Sequence, residues 1–290
     1  MQKSLCVRGL AALRFVFLSA LAAIACAGLC TGARAQGDRG GIPGDFDYYI
    51  LALSWSPTYC GGRGGGDGEG RGAYDDVFGD EERYGGWGND DRGYGRRRHD
   101  DRGGGEEQCS GKRPYAFVLH GLWPQYDRKG WPEYCRIGAR PWVPAETIDR
   151  MMDIMPSRRL IIQEYRKHGV CSGLSARQYF ESARQAYRSI RIPDEFQDLT
   201  EPLTLSPETV RKAFLDANRQ LTPDTMQIAC SRNLLREVRI CLGKDLAPRP
   251  CSRNEQNRQL CNYNTVTMPP VRGGGKGPHG GPTAGQGDRL

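Results

Sequence analysis

The amino-acid sequence predicts an α+β fold with a central antiparallel sheet flanked by helices and stabilised by disulfides. Three observations carry this expectation. Residues 48–54 and 115–120 are short apolar runs rich in strand formers and read as buried central strands. Glu237-Val238-Arg239-Ile240-Cys241-Leu242 alternates polar and apolar, the pattern of a strand with one wet face. Helical patterns at 145–155, 157–168, 175–188 and 206–219 do not alternate regularly with the strands, which favours α+β over a doubly wound parallel sheet.

The helices carry local punctuation. Ser157, Ser175 and Ser206 stand where N-caps belong, Pro207 fits a first helical position, and Gly169 fits a stop after His168. No internal repeat is present.

At the amino end, Lys3, Arg8 and Arg14 precede an apolar stretch at 15–29, and Ala33-Arg34-Ala35 supplies small residues for cleavage. Residues 1–35 therefore read as a secretory signal peptide, with a mature chain from Gln36 that is secreted or periplasmic and carries no membrane segment. The alternatives are a spanning helix, for which the apolar run is shorter than the roughly 20 residues required, and lipid attachment at Cys26, where Ala23-Ile24-Ala25 lacks the usual leucine.

Of 11 cysteines, Cys6, Cys26 and Cys30 leave with that peptide. Cys60, Cys109, Cys135, Cys171, Cys230, Cys241, Cys251 and Cys261 remain. An even number in an exported chain favours disulfides over a metal site, and the absence of a CxxC pair among them argues further against zinc. Spacing alone does not choose the pairing.

Residues 36–270 form the expected folded domain, interrupted at 61–108 by a segment with 17 glycines and 21 charged residues. Such a composition cannot bury enough apolar surface to offset its ordering entropy, so the segment reads as a disordered insertion. Arg92-Gly93-Tyr94-Gly95-Arg96 within it superficially resembles an RNA-binding tract, but flanking Asp90, Asp91, Asp100 and Asp101 favour a solvated linker. The tail at 271–290 is rich in Gly and Pro and is expected to be disordered.

The net charge of +7 is unevenly spread: residues 109–270 hold 25 basic against 17 acidic side chains, whereas the insertion is acidic. A basic domain of this kind suits a polyanionic partner as well as a merely solvated surface.

Chemistry concentrates in two segments. Phe117-Val118-Leu119-His120-Gly121-Leu122-Trp123-Pro124 puts a histidine at the end of a strand, entering a tight turn with its edge open to a cleft. Glu164-Tyr165-Arg166-Lys167-His168-Gly169-Val170-Cys171 sets a carboxylate three and four residues before an ammonium and an imidazole, so that all three project together from a helix. Two imidazoles with ordinary pKa values of about 6.5 can hold opposite protonation states near neutrality, one removing a proton while the other delivers one. That pairing suits cleavage of RNA through its own 2'-hydroxyl, with Lys167 stabilising phosphate charge without a metal. Taken singly, a histidine is more often structural, and Glu164 with Lys167 would be a surface ion pair worth under about 1 kcal/mol. Trp123 is balanced between core and substrate contact, and Trp55, Trp131 and Trp142 read as packing residues.

HGLWP and E-x-x-K-H-G-x-C resemble the two active-site segments of the ribonuclease T2 family of secreted endoribonucleases. The resemblance extends to 46–49, 53–60, Glu237-Val238-Arg239-Ile240-Cys241, Lys244-Asp245 and Pro250-Cys251. It implies a T2-like fold and a metal-independent endoribonuclease of low base specificity that needs no cofactor, acts as a monomer on single-stranded RNA and has no stable protein partner. It also implies pairs Cys60–Cys109, Cys135–Cys171, Cys230–Cys261 and Cys241–Cys251, the second tethering one active-site segment to the loop after the other. The implied roles are His168 as general base, His120 as general acid, Glu164 and Lys167 as positioning and stabilising groups, and Trp123 as a substrate contact. Products would be a 2',3'-cyclic phosphate and a 5'-hydroxyl, the former hydrolysed more slowly to a 3'-phosphate. Two departures stand out: Gln163 occupies the position of a third histidine found in many members, retaining only hydrogen bonding to phosphate, and Gln125 replaces an acidic residue that often contacts a base. The competing readings are a catalytically inert secreted RNA-binding protein of the same fold, which would not require both titrating groups, and a disulfide-stabilised toxin acting on another protein.

Overall fold

The computed structural model describes residues 37–61, 107–109 and 113–271. Residues 1–36, which include the expected signal peptide, most of the 61–108 insertion and the tail beyond Val271 lie outside them. In chain order the elements are β1 (Gly37–Arg39), β2 (Tyr48–Trp55), α1 (Ser56–Gly61), β3 (Phe117–Gln125), β4 (Trp131–Glu133), α2 (Ala145–Met151), α3 (Arg158–Lys167), α4 (Ala176–Arg188), β5 (Leu203–Leu205), α5 (Pro207–Ala217), β6 (Met226–Ser231), β7 (Leu234–Leu242), α6 (Arg253–Gln256) and β8 (Val266–Met268). The fold is α+β, and its main sheet has six strands in the order β3-β2-β7-β8-β5, with β6 also on β7. Pairing is antiparallel except for one parallel bridge between β7 and β8; β1 and β4 form a separate parallel pair.

β2 is central and buried along all eight residues, as its nearly unbroken apolar run requires. Its two faces enter different cores. Leu51, Leu53 and Trp55 join Leu119, Leu122, Val238 and Ile240 under Ile161, Tyr165, Tyr179 and Phe180 of α3 and α4. Tyr48, Ile50 and Ala52 join Trp123, Cys241 and Cys251 in a smaller cluster on the opposite face.

Three serine caps are made by side-chain oxygens that accept from Leu160 N, Gln178 N and Thr209 N, each offsetting about 1 kcal/mol of unsatisfied helix end. Gly169 is not a left-handed stop. It opens a 3₁₀ turn over Gly169–Ser172, and a Cβ there would collide with Tyr165; the left-handed glycine is Gly173, at φ 76°.

Several expectations need correction. β3 does not turn after His120 but runs on to Gln125, and it is an edge strand, not a central one. The edge position tolerates Pro124, which has no N–H to donate. The polar face of β7 is dry, with Glu237 1% and Arg239 4% exposed, because Ser252 and Glu255 of the following segment cover it. Trp55 is core, but Trp142 is exposed. The insertion's final residues are held: Gln108 is buried and its amide donates to Ser56 Oγ at 3.1 Å. Val271, the first tail residue, donates its N–H to Leu199 O at 2.7 Å.

Four disulfides are closed: Cys60–Cys109, Cys135–Cys171, Cys230–Cys261 and Cys241–Cys251. Among the described residues no helix is long and apolar enough to cross a membrane.

Candidate active site

The site is built where β3 breaks step with β2. Ala52 pairs with Gly121 and Leu53 with Leu119, so His120 is an extra residue on β3. A regular strand places residues three apart on opposite faces. The bulge shifts that parity by one, so Leu119 and Leu122 both enter the main core while His120 and Trp123 meet on the other side. The two rings pack edge to face, with centroids 5.1 Å apart.

α3 lies along this edge and delivers Glu164 and Lys167, with His168 as its C-terminal cap residue. Trp123 Nε1 donates to Glu164 Oε2 at 2.7 Å, while Glu164 Oε1 stands 3.7 Å from His120 Nε2. The His168 ring also packs on this indole, tilted 34° to it with centroids 5.4 Å apart. Gly121 permits this crossing: a Cβ at that position would collide with both Glu164 Oε2 and Trp123 Nε1.

Lys167 reaches toward the β4 strand, its Nζ 4.0 Å from Glu133 Oε2, and Glu133 also accepts from Arg39 Nε at 3.0 Å. Its carbonyl accepts from Tyr134 N at 2.7 Å, and the Cys135–Cys171 disulfide lies immediately beside that bond. Tyr134 holds a left-handed φ of 49°, and its hydroxyl accepts from Gln163 Nε2 at 3.2 Å. Gln163 is thus engaged with the segment after β4.

The sequence-predicted residues His120, Trp123, Glu164 and His168 therefore form one connected cluster, with Lys167 and Gln163 on its β4 side. Their settings differ from those expected. His120 and His168 are 4% and 3% exposed, so the imidazole edge does not stand open; Trp123 and Glu164 cover it. Glu164 and Lys167 are also buried, which removes the surface ion pair as an account of them.

Behind His120 lies a charged group that was not among the sequence-predicted site residues. His120 Nδ1 is 2.7 Å from Glu237 Oε1, and since a carboxylate only accepts, Nδ1–H donates. Glu237 Oε2 accepts from Arg239 Nε at 2.9 Å and faces Arg236 Nη2 at 3.7 Å. Arg239 Nη1 donates to Glu255 Oε1 at 3.4 Å, Arg258 Nη1 to Glu255 Oε2 at 3.3 Å, and the Arg239 guanidinium also covers the Trp123 ring at 4.9 Å. Burial by itself would raise the Glu237 carboxyl, but Arg239, Arg236 and the His120 contact overcome it and hold the group well below the ordinary carboxylate range. Glu237 and Arg239, at i and i+2 of the strand, were the available signal: they share one face, and opposite charges on one face next to Cys241 are poor candidates for solvent.

In chemical terms the site offers two buried imidazoles against one indole, a carboxylate bound to that indole, and an ammonium. Among the described residues no group of three or more His, Cys, Asp or Glu could hold a metal ion.

A family model described as the Ribonuclease T2 family matches residues 101–251. A ribonuclease of Aeromonas hydrophila is 30% identical over 228 residues, covering 76% of this chain and 83% of the relative. A probable ribonuclease of Haemophilus influenzae is 30% identical over 153 residues, covering 51% of this chain and 45% of the relative. In fold, the chain is similar to an RNase-related protein from Calystegia sepium, at TM-score 0.51 and 20% identity, covering 77% of this chain and 97% of that one.

Proposed function

The chain belongs to the ribonuclease T2 family, and on that premise we propose that its endoribonuclease activity is a transphosphorylation through the substrate's own 2'-hydroxyl, run by His168 and His120. The observation that carries this reading is the shared indole: both imidazoles pack on Trp123, at 5.1 and 5.4 Å, and Glu164 accepts its N–H. One rigid ring thereby sets the spacing of an acid and a base, which is what a concerted proton relay needs.

His168 takes the ribose 2'-proton, and the 2'-oxygen attacks phosphorus. His120 protonates the departing 5'-oxygen, leaving a 2',3'-cyclic phosphate and a 5'-hydroxyl. Water then opens the cyclic ester to a 3'-phosphate with the two imidazoles exchanging roles. Lys167 neutralises charge gathering on the nonbridging oxygens, and Glu164, while holding Trp123, must yield the Nε2 edge of His120 to the incoming phosphodiester. Trp123, from beneath the two imidazoles, and Gln163, from the β4 side, are the residues assigned to substrate contact. Single-stranded RNA is the substrate and base preference is low.

The chain is exported through residues 1–35, folds as one domain over 36–270 around the insertion, and works as a monomer in the periplasm or medium. Four disulfides support an oxidising compartment, where such bonds persist.

The test is substitution of the two histidines. H120F and H168F should each lower kcat on RNA by about 10²–10⁴-fold, the usual contribution of a positioned acid or base, with circular dichroism unchanged. A folded variant that keeps more than a tenth of wild-type turnover would refute its assigned role.

A further inference from the structure

We infer that Glu237 is a positioning residue for His120: it holds the ring by Nδ1–H so that Nε2 alone gives and takes the proton in both steps of the reaction. This rests on the reading of His120 as the acid.

The contact is close, at 2.7 Å, between two groups each under 5% exposed, so neither water nor rotation competes for Nδ1. Glu237 is itself fixed. Its second oxygen is held by Arg239, which is held by Glu255, which is held by Arg258, each link within 3.4 Å. A carboxylate braced in this way keeps its direction while the imidazole changes charge. When His120 carries two protons, Nδ1–H stays on Glu237 and Nε2–H is the one available to the 5'-oxygen. After that transfer the neutral ring keeps Nδ1–H, leaving the lone pair on Nε2 to accept a proton from the water that opens the cyclic phosphate. Without Glu237 the neutral ring could take the other tautomer, presenting a donor where the second step needs an acceptor.

Among the described residues, charged groups facing His120 include Glu237 on β7, with Arg239 and Arg236 behind it, and Glu164 on α3; Trp123 packs against the ring, and His168 packs on the same indole. Glu237 contributes a full negative charge beside the imidazolium, so removing it makes the ring lose its proton more readily. The alkaline limb of the pH–kcat profile should then move toward lower pH, by about one unit or more for a charge this close.

The experiment compares wild type, H120F, E237Q and E237Q/R239Q on two substrates: a ribodinucleoside phosphate, whose leaving alkoxide needs a proton, and a nucleoside 3'-(para-nitrophenyl phosphate), whose leaving phenolate does not. The double variant removes the arginine charge that E237Q leaves buried and unpaired. H120F and both Glu237 variants should lose at least about tenfold more activity on the dinucleotide than on the aryl ester, and the Glu237 variants should show the shifted alkaline limb. Equal losses on both substrates with an unmoved limb, while H120F discriminates, would overturn the inference and leave the acid assignment standing. A failure of H120F to discriminate would overturn that assignment and this inference together. Nitrogen NMR of the wild-type imidazole is independent of any variant's folding: neutral His120 should be the Nδ1–H tautomer, and the opposite tautomer would contradict the role given to Glu237.

Discussion

At the scale of single residues, Gly121 is where the site is most sensitive. The Trp123–Glu164 hydrogen bond passes over its Cα, so any side chain collides with both partners. G121A should keep its disulfides and circular dichroism but lose at least about tenfold in kcat, with a destabilisation of about 1–3 kcal/mol as for other overpacked positions. Comparing kinetics with denaturant unfolding checks this; an alanine variant with wild-type turnover would show that the Trp123–Glu164 contact is dispensable. That His120, Trp123, Glu164 and His168 come together was legible in the sequence through the resemblance of two whole motifs to one family, since each residue taken singly has an ordinary structural explanation. Glu237 was not, because a glutamate in an alternating strand is ordinarily solvated, and only the fold of 251–256 over that face shows that it is buried. Gly121 was read as a turn residue, which it is not; the reason for a glycine there, the approach of Glu164 from α3 and of Trp123, is long-range.

At the scale of elements, cap chemistry marked the starts of α3, α4 and α5, since a serine oxygen bonded to a nearby N–H is a local interaction. The course of β3 was not legible. Gly121 and Pro124 read as a turn, yet pairing with β2 carries the strand through both, and the bulge at His120 is defined only by the partner's register. β2 makes a prediction of its own. Tyr48 and Tyr49 lie on its two faces, and burial pushes each hydroxyl up to about 12, with contacts to Ser252 and Ser172 respectively pulling the other way. A folded-state value above the ordinary 10 means that the stabilising effect is complete below pH 10 and is lost as pH climbs toward 12, because the unfolded chain gains phenolate charge that the native sheet refuses. Spectroscopic titration should therefore show a late tyrosine population that ionises together with loss of near-ultraviolet dichroism. Full reversible ionisation of all 13 tyrosines near pH 10 in a native protein would contradict the burial of this strand.

At the scale of the whole molecule, the domain sets the His120 cluster between two cores. His120 sits at the seam where one strand changes face, backed by the charge ladder of β7 and fronted by α3. The disulfide framework ties down what the sheet does not: Cys135–Cys171 joins the segment after β4 to the end of α3, beside Lys167, and Cys241–Cys251 fixes the segment that covers Glu237. Each such bond contributes about 2–4 kcal/mol in a domain of this kind. The fold class was legible because apolar strand runs and amphipathic helices do not depend on knowing their partners. The smaller core was not, because its members come from three strands and a loop, and no single segment announces it. We propose that this assembly makes the substrate's own 2'-hydroxyl the nucleophile. It is tested most directly with an oligoribonucleotide carrying one 2'-deoxy residue, digested in EDTA and resolved by end-group analysis. Cleavage should occur at every linkage except the one 3' to the deoxy residue, with 2',3'-cyclic phosphate on the first products. Cutting at the deoxy linkage, or a strict requirement for a divalent metal, would contradict it.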